Sequence, residues 1–414
     1  MIARRRAVLG FGTLLALAAG CSKSDPSVPP VYEERPSMTA AVAGKADLAD
    51  KPRIRQRVRD VLARLYGPNP REIHVPAEAP LSRDETGLLG GLLGNGVRTA
   101  EGFRKLPRAG GYAVYRRDCL NCHGVSGGGD GPTAAFTYPP PRDFRPGVYK
   151  FTSTPAGAPP SRDDLRRVVQ DGLPSTAMPG FKALMSEEEI EQVVDYTIFL
   201  SLRGQTELAL IEEGALADSD DPDVLNDRVV RDVVANLFDR WRTAERETVE
   251  PPTPRTPPTP EGVRRGRDLY MGKTKDYLEC AGCHGPRGKG DGADYVDRKL
   301  FNEIVLRDDP ETRARRIAEF DERTRALWDR GLDAWGAPSR PADLTVAVYK
   351  GGGRPVDLYR RIAKGINGTS MPAHYPKLDP GKIWDLVNFV LALPFQPELL
   401  DESELANEPR PVRR

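Results

Sequence analysis

The sequence predicts an all-α protein built from two homologous domains, joined by an acidic helix and a proline-rich linker. Three observations lead there. The first is an internal repeat: Gly111 to Tyr115 precedes a CLNCH pentapeptide (Cys119 to His123) as Gly266 to Tyr270 precedes CAGCH (Cys280 to His284), and GGGDG follows the first as GKGDG follows the second. The second is the continuation of that repeat through Asp164 to Pro179 and Asp357 to Pro372, which pairs Met178 with Met371. The third is the periodicity of the closing segments: Ile190, Val193, Val194 and Tyr196 match Ile383, Leu386, Val387 and Phe389 at the i, i+3, i+4 spacing of one helix face. A chain of 414 residues has room for two such domains and their connections.

Residues 1 to 20 place Arg4, Arg5 and Arg6 before an apolar run from Ala7 to Gly20, the layout of an export signal. Cys21 follows Ala18, Ala19 and Gly20, and this junction resembles a bacterial lipoprotein box, with Leu17 one position early. That resemblance implies a lipid anchor on Cys21 and a body outside the cytoplasmic membrane; an ordinary cleaved signal or an uncleaved anchor is the alternative. The arginines also resemble a twin-arginine signal. Within residues 21–101, 22–46 read as a disordered tether and Lys51 to Tyr66 as a short charged helix. With 61 Lys and Arg against 60 Asp and Glu, no basic surplus exists to neutralise phosphates, which speaks against nucleic-acid binding.

In each repeated domain, 102–204 and 261–395, the order reads as a helix before the pentapeptide, a glycine loop, a short helix near Leu165 or Leu358, a methionine loop, and a closing helix. Cys119, Cys122, Cys280 and Cys283 account for every thiol beyond Cys21. Two thiols one helical turn apart can each form a thioether with one porphyrin, and the adjacent His123 or His284 can then reach its iron. A zinc ribbon, a thioredoxin-like dithiol and two small disulfides compete with covalent haem, but none needs a histidine after both second cysteines. His374, three residues past Met371, could replace it as a ligand, but reads first as a surface or hydrogen-bonding histidine. Met185 and Met271 read as packing residues and His74 as solvated.

With these motifs in place, the chain resembles tandem class I cytochromes c over roughly residues 104–204 and 260–395. The resemblance implies two covalently attached haems c. Their axial ligands would be His123 with Met178 and His284 with Met371, leaving no open position for substrate and no catalytic residue. It also implies one-electron transfer with redox protein partners, by analogy a respiratory oxidase or quinol-oxidising complex. A dihaem peroxidase and a structural or zinc-binding lipoprotein are the other readings. In the family a proline after the pentapeptide often offers its carbonyl to the ligating histidine. Pro132 stands there in the first copy and Ala293 in the second, so unequal histidine environments are expected.

Residues 205–260 begin with 13 acidic and 5 basic residues up to position 250. Within them, Val230, Val233, Val234, Leu237, Phe238 and Trp241 form a helical stripe behind an Asp221-Pro222 start signal, read as a solvated connecting helix. PPTPRTPPTP (251–260) should be a polyproline spacer that leaves the domains separable. The second copy holds 39 additional residues around 293–336, where Asp309-Pro310-Glu311 and the spacing of Ile317, Phe320 and Leu327 predict a surface helix over Arg307 to Arg330. Residues 396–414 read as a tail.

Overall fold

The computed structural model describes residues 30–36, 47–76, 79, 97–99, 102–104, 110–276, 278 and 280–400. Cys21, the leader and most of the tail lie outside them. Among the described residues the chain is helical apart from one short antiparallel pair, β1 (Val97–Thr99) with β2 (Gly102–Arg104). No described helix is long and apolar enough to cross a membrane.

The first domain contains α1 (Pro52–Tyr66), α2 (Gly111–Asp118), α3 (Leu120–His123), α4 (Arg162–Asp171), α5 (Glu187–Ala215) and α6 (Asp227–Ala244). Helices α4 and α5 start on Ser161 and Ser186, each closing a reciprocal capping box with Asp164 and Glu189. The domain boundary expected after residue 204 falls inside α5, which runs unbroken to Ala215. Its extension buries Leu210 and Ile211 and receives α1, whose Ile54, Val58, Val61 and Tyr66 are buried. The two helices cap each other. Lys51 donates to the carbonyls of Gly214, Ala215 and Ala217 at the end of α5, and Asp220 accepts from the Arg53 and Ile54 amides at the start of α1. Residues 30–36, expected within a tether, also lie on this domain, with Tyr32 buried under the Arg203 guanidinium at 4.1 Å.

Helix α6 differs from a solvated connector. Asn226, not Asp221, supplies its N-cap, and Val230, Leu237, Phe238 and Trp241 are buried, with Trp241 Nε1 donating to Gln205. The acidic residues occupy the other face, so one stripe packs and one is solvated.

The second domain contains α7 (Pro260–Tyr270), α8 (Cys280–His284), α9 (Arg298–Leu306), α10 (Pro310–Ala318), α11 (Glu322–Arg330), α12 (Pro355–Lys364) and α13 (Pro380–Ala392). The additional segment is three short helices rather than one. Asp297, Asp309 and Asp321 each accept main-chain amides as N-caps; Asp309 opens a helix where the sequence placed a start signal, and the restart at Asp321 divides the longer helix that periodicity suggested. The three helices enclose their own small core of Phe301, Ile304, Val305 and Trp328.

The proline-rich segment is not a free spacer. Thr253 and Thr256 carbonyls accept from Trp384 and Asn388 of α13, Arg255 donates to Asn388, and Val249 donates to the Ser153 carbonyl of the first domain. Directly between the domains, Lys150 pairs with Asp333 at 2.8 Å, the Arg142 guanidinium lies 3.5 Å over the Trp335 ring, Tyr138 donates to the Pro338 carbonyl, and Asn367 donates to that of Tyr149. Asp333 and Trp335 belong to the additional segment and Pro338 follows it, so that segment joins the two domains.

Lys364 of α12 donates to Thr152 across this interface. Burial pushes its ammonium down to about 8, with Asp164 opposing the shift and Arg360 adding to it. An unfolded lysine holds its proton to about pH 10.4, so between these values the unfolded chain binds more protons and stability rises with pH. Replacing Lys364 with Met is expected to raise the melting temperature at pH 7. It should also flatten the gain that wild type shows from pH 8 to 10, as read by thermal melts of both proteins across that window.

Candidate haem chamber

Each pentapeptide is placed by the helix before it. The hydroxyl of Tyr115 donates to the Gly124 carbonyl at 2.7 Å, and that of Tyr270 to Gly285 at 2.6 Å, tying the end of each pentapeptide to α2 or α7. The glycine loop then folds back: Gly129 and Gly290 donate to the carbonyls of His123 and His284. A side chain at either glycine would meet the Pro141 or Pro341 carbonyl at 2.5 or 2.4 Å, and both have positive φ, so the close approach requires glycine.

That approach lays a following segment across each histidine. Nδ1 of His123 is 3.1 Å from the Arg142 carbonyl, and Nδ1 of His284 is 3.1 Å from the Ala342 carbonyl. These acceptors, rather than Pro132 and Ala293, serve the histidines. They are equivalent in the repeat, so this hydrogen bond does not distinguish the two copies. A carbonyl only accepts, which puts the proton on Nδ1 and leaves the Nε2 lone pair available. Burial pushes His123 down to about 4 and lowers His284 as well, so both rings are neutral near pH 7. The copies do differ beside the ring: His123 stacks on Phe144 at 4.4 Å, where the second copy has Leu344.

The methionine loops repeat as closely. Thr176 and Thr369 hydroxyls accept the amides of Met178 and Met371 at 3.1 and 3.2 Å, and the methionine carbonyls accept from Leu173 and Ile366. Cys119, Cys122, His123 and Met178 line the same cavity of about 950 Å³ as Cys280, Cys283, His284 and Met371. The sequence expectation of two separable sites therefore becomes a single chamber crossing the domain interface. Its wall is mainly apolar, with Arg142, Lys150, Arg330, Lys350 and Arg361 among its cations.

The donor set fits a covalent porphyrin in each half: two thiols, a neutral imidazole with an open Nε2, and a thioether, facing an apolar space with cations for porphyrin carboxylates. It fits the competing readings poorly. Burial pushes Cys119 and Cys280 up to about 12, opposite to an activated dithiol. None of the four cysteines is in a disulfide. Among the described residues no three His, Cys, Asp or Glu side chains converge as a metal cluster, as a zinc ribbon would require.

Met185 is buried in the core and Met271 packs against the second core. His374 also lines the chamber, while its amide donates to the Ile362 and Ala363 carbonyls. The His74 ring lies half in solvent. Two groups of residues escaped the sequence reading: the acceptor carbonyls of Arg142 and Ala342, and the Tyr295–Ser370 pair beside Met371. Tyr115 and Tyr270 were visible only as matched repeat positions.

Residues 107–196 match the family cytochrome c oxidase, cbb3-type, subunit III, and residues 263–394 match the family cytochrome c. The chain thus carries two cytochrome c domains in tandem, a class defined by covalent haem c and electron transfer. Over 85 residues it is 30% identical to cytochrome c55X of Paracoccus denitrificans (strain Pd 1222), covering 20% of this chain and 66% of that relative, just under two thirds of its length. It is also similar, at 27% identity and a TM-score of 0.45, to a chain of the Kuenenia stuttgartiensis reducing HAO-like protein complex, over 68% of this chain and 93% of that one.

Proposed function

We propose that this protein is a dihaem c-type cytochrome that passes single electrons in a respiratory chain, held by a lipid on Cys21 at the outer face of the cytoplasmic membrane. The observation that carries the dihaem reading is the shared chamber, in which two cysteine pairs, two neutral histidines and two methionines repeat with the same main-chain partners. Cys119 with Cys122, and Cys280 with Cys283, would attach the porphyrins; His123 with Met178, and His284 with Met371, would ligate the irons. A haem iron held this way supplies one-electron chemistry, and a thioether ligand raises its potential. The polypeptide excludes water with its apolar wall, fixes each histidine tautomer, and offers cations to porphyrin carboxylates. The proposed partner is a redox protein of a respiratory oxidase or quinol-oxidising complex, consistent with the family matched by the first domain.

Protein made with haem-maturation machinery should carry two covalent haems by intact mass. Cys122→Ala and Cys283→Ala should each disrupt attachment in one domain only. Met178→Ala and Met371→Ala should keep the haem, lower that iron's potential and remove its sulfur-to-iron absorption. Normal spectra and two haems in either cysteine variant would refute the thioether assignment. Cys21→Ser should release the protein from membranes with haem content unchanged; retention after a high-salt wash would count against the lipid anchor.

A further inference from the structure

The two methionine loops share their internal hydrogen bonds but differ in what grips them from outside. In the second domain the Tyr295 hydroxyl lies 2.8 Å from the Ser370 hydroxyl, and Ser370 in turn donates to the Arg330 carbonyl at 2.9 Å. Ser370 is the residue immediately before Met371. Two residues earlier in this loop, the Gly368 carbonyl accepts from the Ala334 amide at 2.8 Å, and a Cβ on Gly368 would come within 2.5 Å of the Trp335 ring. Arg330, Ala334 and Trp335 lie in the additional segment of the second copy, and Tyr295 stands where the chain enters it.

The first domain provides the internal control. Tyr295 corresponds to Ala134, and the main chain confirms the equivalence, because Ala134 donates to Gly131 as Tyr295 does to Gly292. Ser370 corresponds to Ala177 and Gly368 to Ser175. Two alanines thus stand where the second copy has its paired hydroxyls. Pro174 and Ser175 are exposed where Asn367 and Gly368 are partly covered, while Ala177 and Pro179 are exposed in the first loop as Ser370 and Pro372 are in the second. Ser175 holds φ at +59° without glycine's freedom, a mildly strained conformation that an opening loop would relieve.

We propose that Tyr295 and Ser370 are positioning residues for Met371, forming with Arg330 and Trp335 a clamp that the first domain lacks. Met178 is then the ligand that a competing donor displaces first, and the additional segment sets the difference between the two irons. This rests on the assignment of Met178 and Met371 as axial ligands.

The test is an imidazole titration of the full oxidised dihaem protein. Each methionine ligand is followed by its sulfur-to-iron absorption and its axial-methionine NMR signal, assigned with Met178→Ala. Imidazole should displace Met178 at a lower concentration than Met371. Tyr295→Phe and Ser370→Ala should each strengthen imidazole binding at the second iron about fivefold, the worth of one hydrogen bond, with the first iron unmoved. Ser370→Thr, which keeps a hydroxyl, should restore the wild-type value. Equal displacement of both methionines in wild type, or an unmoved second iron in Tyr295→Phe and Ser370→Ala, would overturn the clamp while leaving the ligands assigned. Absence of any axial-methionine signal would overturn the ligand assignment and the clamp together.

Discussion

Gly266→Ala is expected to destabilise the second domain by about 2 to 4 kcal/mol, despite the roughly 1 kcal/mol that alanine gains over glycine inside a helix. Helices α7 and α13 cross at this residue so closely that an added Cβ would sit 2.1 Å from the Asp385 carbonyl oxygen and 2.8 Å from Cβ of Phe389. The nearer atom belongs to backbone, so no side-chain rotation relieves the clash and the helices must part. Parting them disturbs the Tyr270–Phe389 ring contact, at 5.2 Å, and through Tyr270 the anchor on Gly285 that ends the second pentapeptide. Second-domain haem attachment should therefore fall together with stability. Gly111→Ala should do the same in the first domain, where the Cβ would meet the Gln192 carbonyl at 2.3 Å. Gly262→Ala, whose nearest new neighbour is a side-chain oxygen of Asp385 at 3.2 Å, is the control on the same helix. Denaturant unfolding and haem content measure all three, and wild-type values for Gly266→Ala would show that the helices slide apart without cost.

The repeat marks Gly111 and Gly266 as matched positions, but only the fold shows that they meet Tyr196 and Phe389 of the closing helices. The cysteines, histidines and methionines were legible, because covalent and ligand chemistry demands particular residue types at fixed spacing. The acceptors of the histidine protons were not legible: they are backbone carbonyls of Arg142 and Ala342, and a carbonyl leaves no mark on residue identity. Proximity in sequence favoured Pro132, but the glycine loop returns the chain from 19 residues away. The role of α1 was hidden for a related reason. Its apolar face is plain, while its partner, the end of α5, lies more than 160 residues downstream and is recognised through Lys51 and Asp220. Proline content spoke for a stiff linker and could not reveal that threonine carbonyls within it meet Trp384 and Asn388. Each of these misses is a long-range pairing that local pattern does not encode.

The interface between the domains depends on such a pairing, and Asp333→Asn should weaken the protein by about 3 to 5 kcal/mol, the usual result of stranding a buried charge. The Asp333 side chain is 4% exposed and its Lys150 partner 13%, so water screens the pair little. Burial lowers the Lys150 ammonium and the Arg142 guanidinium below their ordinary ranges, and Asp333 opposes both shifts. One carboxylate thus offsets two buried cations from the other domain. Asparagine keeps an oxygen for the Trp335 and Ala337 amides, each 3.0 Å from Oδ1, so the turn can persist while the charge is lost. The cost should then come from the stranded cations rather than from a broken loop. Adding Lys150→Met removes one of them and should recover most of the loss, because a buried pair replaced by neutral groups is often close to neutral overall. Denaturant unfolding of wild type, both single variants and the double variant gives the coupling energy directly. A coupling near zero would mean that the domains are held by their hydrogen bonds and ring contacts alone, with Lys150 finding water or another carboxylate once Asp333 is gone.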